Sequence, residues 1–127
     1  MTPVPVPILK QGDALIAFIQ AALSDDDLLQ LRDELADRVG RMRARGVIID
    51  LSALDVLDSF ASRTIRGIAY TARLRGAQTV VVGIQPDVAF AMVQLGLTLE
   101  GVATALDLEE GLELLQLGRQ RRDRDGP

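Results

Sequence analysis

Apolar positions along this chain change their period several times, and each change predicts an element. The stretch "ILKQGDALIAFI", residues 8–19, reads as two short strands around a Gln11-Gly12-Asp13 turn, with glycine supplying the permissive backbone. Leu28, Leu31, Leu35, Val39 and Met42 then recur at helical spacing. Ser24 and Asp27 form a capping-box-like start ahead of them, and Gly46 falls near the expected end. "VIIDL", residues 47–51, is a continuous β-branched run of strand length, the mark of a strand buried on both faces. Beyond it the spacing predicts a helix over about residues 59–75, then a strand at "TVVVG". Pro86 opens a further helix, where its missing N–H costs nothing, and Gly96 closes it. A short strand at "GVATAL" precedes a last helix in "DLEEGLELLQLG", with Asp107 and Glu110 as its capping pair and Leu108, Leu112 and Leu115 as its apolar face.

Strand–helix alternation of this kind implies an α/β fold, with right-handed crossovers between parallel strands. There is no internal repeat, and 127 residues suit one domain. The last ten residues, "GRQRRDRDGP", are charged and bounded by Gly and Pro. The domain is therefore expected over residues 1–118, with 119–127 as a charged, disordered tail. Three prolines break the apolar N-terminal lead, which has no positive segment before it. No apolar run approaches the roughly 20 residues that span a bilayer, so the expected location is cytoplasmic.

Composition narrows the chemistry. The chain has no Cys and no His. That removes disulfides, thiolate or imidazole metal ligands, and the Ser-His-Asp and Cys-His arrangements. The formal net charge of −4 argues against general nucleic-acid binding. Nearly every cation is Arg, Lys10 being the one lysine, which suits bidentate contact with carboxylate or phosphate. Asp50, at the end of "VIID", stands where a ligand or phosphoacceptor sits in an α/β sheet. A response-regulator receiver would also need a lysine late in the sheet, and none follows Lys10. Neither GxGxxG nor GxxxxGK[ST] is present. Asp55 and Asp58 could serve as paired hydrolytic carboxylates, but acidic residues before a helix are ordinary dipole partners.

Ser59 is the position left over. If its helix starts at Phe60, Ser59 is the N-cap, and its hydroxyl accepts a backbone N–H. Ile65, Ile68, Ala69 and Ala72 should then face the sheet, leaving Ser59, Ser62, Arg63, Arg66, Tyr70 and Arg73 as an exposed stripe. A phosphoryl group on Ser59 would add nearly two negative charges. The helix N-terminus would favour it, Arg63 could reach it one turn on, and Asp55 and Asp58 would oppose it. Pattern alone leaves both readings open, cap and switch.

The run "GVIIDLSALDVLDSF", with Asp-Ser at the strand-to-helix turn, resembles the phosphorylation site of STAS domains, the sulfate-transporter and anti-sigma-factor-antagonist modules. "PVPILKQGDALIAFIQ", "GAQTVVVGIQPDVAFAMVQLG" and "TALDLEEGLELL" fit the same family, so the resemblance covers about residues 5–117. Within the family the chain is similar to the small, single-domain antagonists of stressosomes. The resemblance implies one STAS-like domain, a mixed and mostly parallel sheet of about five strands with about four helices. It implies a non-enzymatic protein without cofactor or metal, in a large cytoplasmic hetero-oligomer with related STAS proteins that carry N-terminal sensor domains. A switch serine/threonine kinase would be sequestered there and released on phosphorylation of the antagonist, and a serine phosphatase would reset the site. Neither nucleic acid nor direct membrane contact is implied. Carried over by position, the phosphoacceptor is Ser59, preceded by Asp58, with Thr64 near the place of a further acceptor in co-assembling relatives. Arg63, Arg66, Tyr70 and Arg73 are the expected partner-binding stripe, on helical geometry. Two other family roles stay open: an anti-anti-sigma factor binding an anti-sigma kinase directly, and a transporter-accessory module. A small hydrolase using Asp50, Asp55 and Asp58 is the rival from another class.

Overall fold

The β-branched run at residues 47–51 forms the middle of the molecule. In the computed structural model, which describes residues 6–124 and side chains through Gly118, it becomes β3 (Gly46–Asp50). The other strands are β1 (Ile8–Gln11), β2 (Ala14–Phe18), β4 (Gln78–Val82) and β5 (Ala103–Ala105), in sheet order β1-β2-β3-β4-β5. β1 pairs antiparallel with β2 across the turn at Gly12, whose φ of 61° is left-handed, and the remaining pairs are parallel. In register, Ile48 lies between Ile16 and Val80.

Side chains alternate across the sheet, and two cores result. Val47 and Ile49 join Leu15, Ala17 and Val81 on one face, under α1 (Asp25–Met42), α2 (Ser59–Leu74) and α3 (Pro86–Leu95). Ile48 joins Ala14, Ile16, Val80 and Val82 on the other, under α4 (Leu108–Arg124). Val47, Ile48 and Ile49 are each 0% exposed. Burial of such a side chain is worth about 1.5–3 kcal/mol. α4 comes very close to the sheet at Gly111, where a Cβ would lie 2.7 Å from Val82 Cγ1. Leu115 is buried and Leu108 and Leu112 partly so, as their spacing predicts.

The capping box at Ser24 is present in full: Asp27 N–H donates to Ser24 Oγ at 3.1 Å, and Ser24 N–H donates back to the Asp27 carboxylate. The end of α1 differs from expectation. Arg43, with φ 50°, is the C-cap, its N–H donating to Val39 O. Gly46 instead opens β3, and Met42 is 39% exposed and off the apolar face, because the chain turns away one residue after it. Arg43 is the one non-glycine residue with positive φ among those described. The predicted strand at residues 79–83 begins one residue earlier, at Gln78. Gly96 closes α3 in the left-handed region, as expected. The backbone of α4 continues to Arg124, while the side chains of residues 119–124 and all of 125–127, where the charged tail was expected, lie outside the described residues. No helix among the described residues is long and apolar enough to cross a membrane.

Gly111→Val should drive α4 off Val82 and cost about 1–3 kcal/mol in chemical denaturation. Arg43→Gly should do the opposite, since an L side chain is disfavoured in that backbone region. A gain of about 0.5–1 kcal/mol and a higher thermal midpoint are expected.

Candidate functional site

All strands from β2 to β5 run the same way, so their carboxyl ends share one edge of the sheet with the start of each following helix. The segment between β3 and α2 lies along that edge. Asp50 does not project from it as a free acceptor. Its Oδ1 takes the Ser52 N–H at 2.9 Å and the Ser52 hydroxyl at 2.6 Å, an Asx turn that folds the chain back. Leu54 N–H then donates to Leu51 O at 2.9 Å. Leu51, Leu54 and Leu57, three residues apart, are buried and plug the edge of the core. Gln85 Nε2 donates to Ser52 O at 2.8 Å, tying the segment to the start of α3. With the leucines turned in, Asp55, Val56, Asp58 and Ser59 are left exposed.

The cap of α2 is Asp58, not Ser59. Asp58 is extended (φ −87°, ψ 178°), and its Oδ1 accepts the Ala61 N–H at 2.7 Å while its carbonyl accepts Ser62 N–H at 3.0 Å. A carboxylate is a stronger acceptor than a hydroxyl and also suits the positive end of the helix. Ser59 is thereby the first helical residue, exposed, with its hydroxyl spared from capping. Nearby backbone N–H groups of the first turn have no intrahelical acceptor and point toward any anion placed there. Arg63, four residues on, is exposed, and its side chain makes no ion pair or hydrogen bond among the described residues.

The expected stripe divides. Ile65, Ile68, Ala69 and Ala72 are buried as predicted. Ser62 is buried with them, 1% exposed, because it lies three and seven residues before Ile65 and Ala69. Its Oγ has no partner among the described residues. Thr64 is also buried, and its hydroxyl donates to Phe60 O at 2.9 Å. Arg66 and Arg73 reach across to the segment between α3 and β5: Arg66 Nη1 lies 3.5 Å from Thr98 Oγ1, and Arg73 Nη2 donates to Gly101 O at 3.0 Å. With Arg63, Tyr70 and Glu100 they line a shallow open groove of about 500 Å³. Tyr70 is 61% exposed. These cross-links join residues 28 and 32 apart in sequence, so no local pattern carried them. No group of three or more acidic residues placed to hold a metal occurs among the described residues.

Replacing Asp58 by Ala should cost about 1 kcal/mol, the ordinary penalty for a lost N-cap. Ser59→Ala should cost less than about 0.5 kcal/mol, as for an exposed surface position. Thermal denaturation of the two variants side by side checks which residue caps the helix.

Comparison with known proteins agrees with this fold. The chain is 39% identical to a serine-to-glutamate variant of Moorella thermoacetica RsbS, with a TM-score of 0.77 over 91% of this chain and 98% of that one. It is 36% identical to a chain of a structure described as the molecular architecture of the stressosome, a signal integration and transduction hub; the TM-score is 0.70, over 87% of this chain and 96% of that one. Among curated proteins it is 30% identical over 84 residues to the RsbT co-antagonist protein RsbRA of Bacillus subtilis (strain 168). That match takes in 66% of this chain and 31% of RsbRA, so the chain spans about a third of that relative's length. The family model for the STAS domain matches residues 6–111. With five strands and four helices among the described residues and that match, the chain belongs to the STAS domain family, and its fold is that of the anti-sigma-factor antagonists.

Proposed function

We propose that this protein is a non-enzymatic antagonist in a stressosome-type assembly, holding a switch serine/threonine kinase and releasing it when Ser59 is phosphorylated. One observation carries the reading: Asp58 caps α2, so the adjoining Ser59 hydroxyl is exposed and not needed to start the helix. A kinase can modify it without unfolding anything. The new group brings a charge of about −1.5 to −2. Attraction to the helix N-terminus and to Arg63 offsets repulsion from Asp55 and Asp58, so the surface potential changes while the fold stays. Ser62 and Thr64 are buried, and phosphorylating either would require opening the helix from the core.

The other partners follow from the similar proteins. RsbS and the stressosome chain support co-assembly with related STAS proteins, and RsbRA, a longer co-antagonist, supports relatives with additional domains. A serine phosphatase would return Ser59 to its free state. Arg63 and Tyr70 belong to the proposed kinase-facing surface. Arg66 and Arg73 hold residues 98–101 as the opposite wall of the same groove.

Phosphopeptide mass spectrometry on protein from stressed and unstressed cells tests the reading. The tryptic peptide spanning residues 46–63 contains Ser52, Ser59 and Ser62, and fragment ions should place stress-dependent phosphate on Ser59 alone. In pull-down with the switch kinase, Ser59→Ala should retain binding and Ser59→Glu should weaken it roughly tenfold or more, about 1.4 kcal/mol. Phosphate confined to Ser52, or equal kinase binding by both variants, would sink the proposal.

A further inference from the structure

The parallel sheet separates charge along the molecule. Every helix begins at the carboxyl edge of the sheet, and no Lys or Arg lies in the first turn of any of them. The first turns of α1, α3 and α4 carry Asp25, Asp26, Asp27, Asp87, Glu109 and Glu110. The opposite edge holds the C-termini of α1 and α2, capped by Arg43 and Arg75. Acidic starts and basic ends are in part ordinary helix-dipole matching. Three features at the basic edge go beyond it.

First, Arg43 occupies a left-handed backbone position where glycine is the favoured residue, so the side chain is kept against a conformational cost. Second, the Arg75 guanidinium lies across α1 in the space that a Cβ at Gly40 would fill. Third, neither arginine side chain makes a hydrogen bond or ion pair among the described residues, and the two flank an open groove of about 540 Å³ beside Leu74, which is 70% exposed. The acidic edge carries the opposite sign. There the β3–α2 segment presents Val56, 64% exposed, between the exposed carboxylates of Asp55 and Asp58.

From this complementarity we propose that copies of the chain associate head to tail, the Asp55-Val56-Asp58 segment of one seated in the Arg43–Leu74–Arg75 groove of the next. The two surfaces lie at opposite ends of α2, which is about 24 Å long, so one copy cannot satisfy its own. A contact between unlike surfaces propagates into rings or open chains and does not stop at a two-fold dimer. Ionic pairing around an apolar contact makes it dependent on salt. The contact itself needs no phosphate on Ser59.

Sedimentation velocity on unphosphorylated full-length protein tests it, across concentration and ionic strength. Wild type should associate progressively at low salt and return toward monomer at high salt. Arg43→Gly with Arg75→Ser removes two of the groove's three arginines and leaves Arg45, and Asp55→Ser with Val56→Ser removes one carboxylate and the apolar side chain of the inserted segment; none of these changes touches the core. Each variant alone should self-associate at least tenfold more weakly. An equimolar mixture of the two should form one-to-one pairs, since it retains one intact copy of each surface. Arg43→Gly should loosen association while its thermal midpoint does not fall, which excludes unfolding as the cause. A wild type whose state ignores salt and concentration overturns the proposal. So do variants that associate as wild type does, a mixture that fails to pair, or a two-fold dimer that neither variant disturbs.

Discussion

Burial of β3 on both faces is the constraint from which the rest follows. A strand with Val47, Ile48 and Ile49 fully enclosed must have a neighbour on each side and helices above and below. Parallel pairing on both sides then sends each following helix back the same way and lines up all the helix starts along one edge. Ser59 sits on the carboxyl edge of the sheet because of the three residues at 47–49, far more than because of its own side chain. The leucines at 51, 54 and 57 complete the effect by holding the connecting segment down on the core while its polar residues face outward.

Much of this was legible in the chain. Continuous apolar runs and a period of three to four gave the element order, and Ser24 with Asp27, Pro86 and Gly96 marked helix ends through local chemistry that needs no tertiary partner. The Asp-Ser pair was visible too, but its division of labour was not. Both residues cap helices well, and only the backbone at Asp58, extended with its carboxylate on Ala61, decides which one does. A shift of one residue in the cap is small in the sequence and large in consequence, since it determines whether the serine hydroxyl is engaged or available.

Other errors have a common physical source. Spacing from Ser59 puts Ser62 on the outer stripe, but spacing from Ile65 and Ala69 places it inside. A residue at the border of an amphipathic helix answers to whichever neighbour packs against that border, here the core beneath α2. Met42 went the other way, losing its apolar surroundings because α1 stops at Arg43. Arg66 and Arg73 looked like free surface cations because their acceptors, Thr98 and the carbonyl of Gly101, come from a distant part of the chain.

Both margins of the sheet are short. β1 has four residues and β5 only three. A margin of that length exposes too few unpaired N–H and C=O groups to template an added strand, the usual route by which open sheets extend or aggregate. Contacts with other chains are thus left to side chains on loops and helix ends. Such contacts respond to ionic strength and to a single covalent charge, whereas a backbone ladder is nearly indifferent to both.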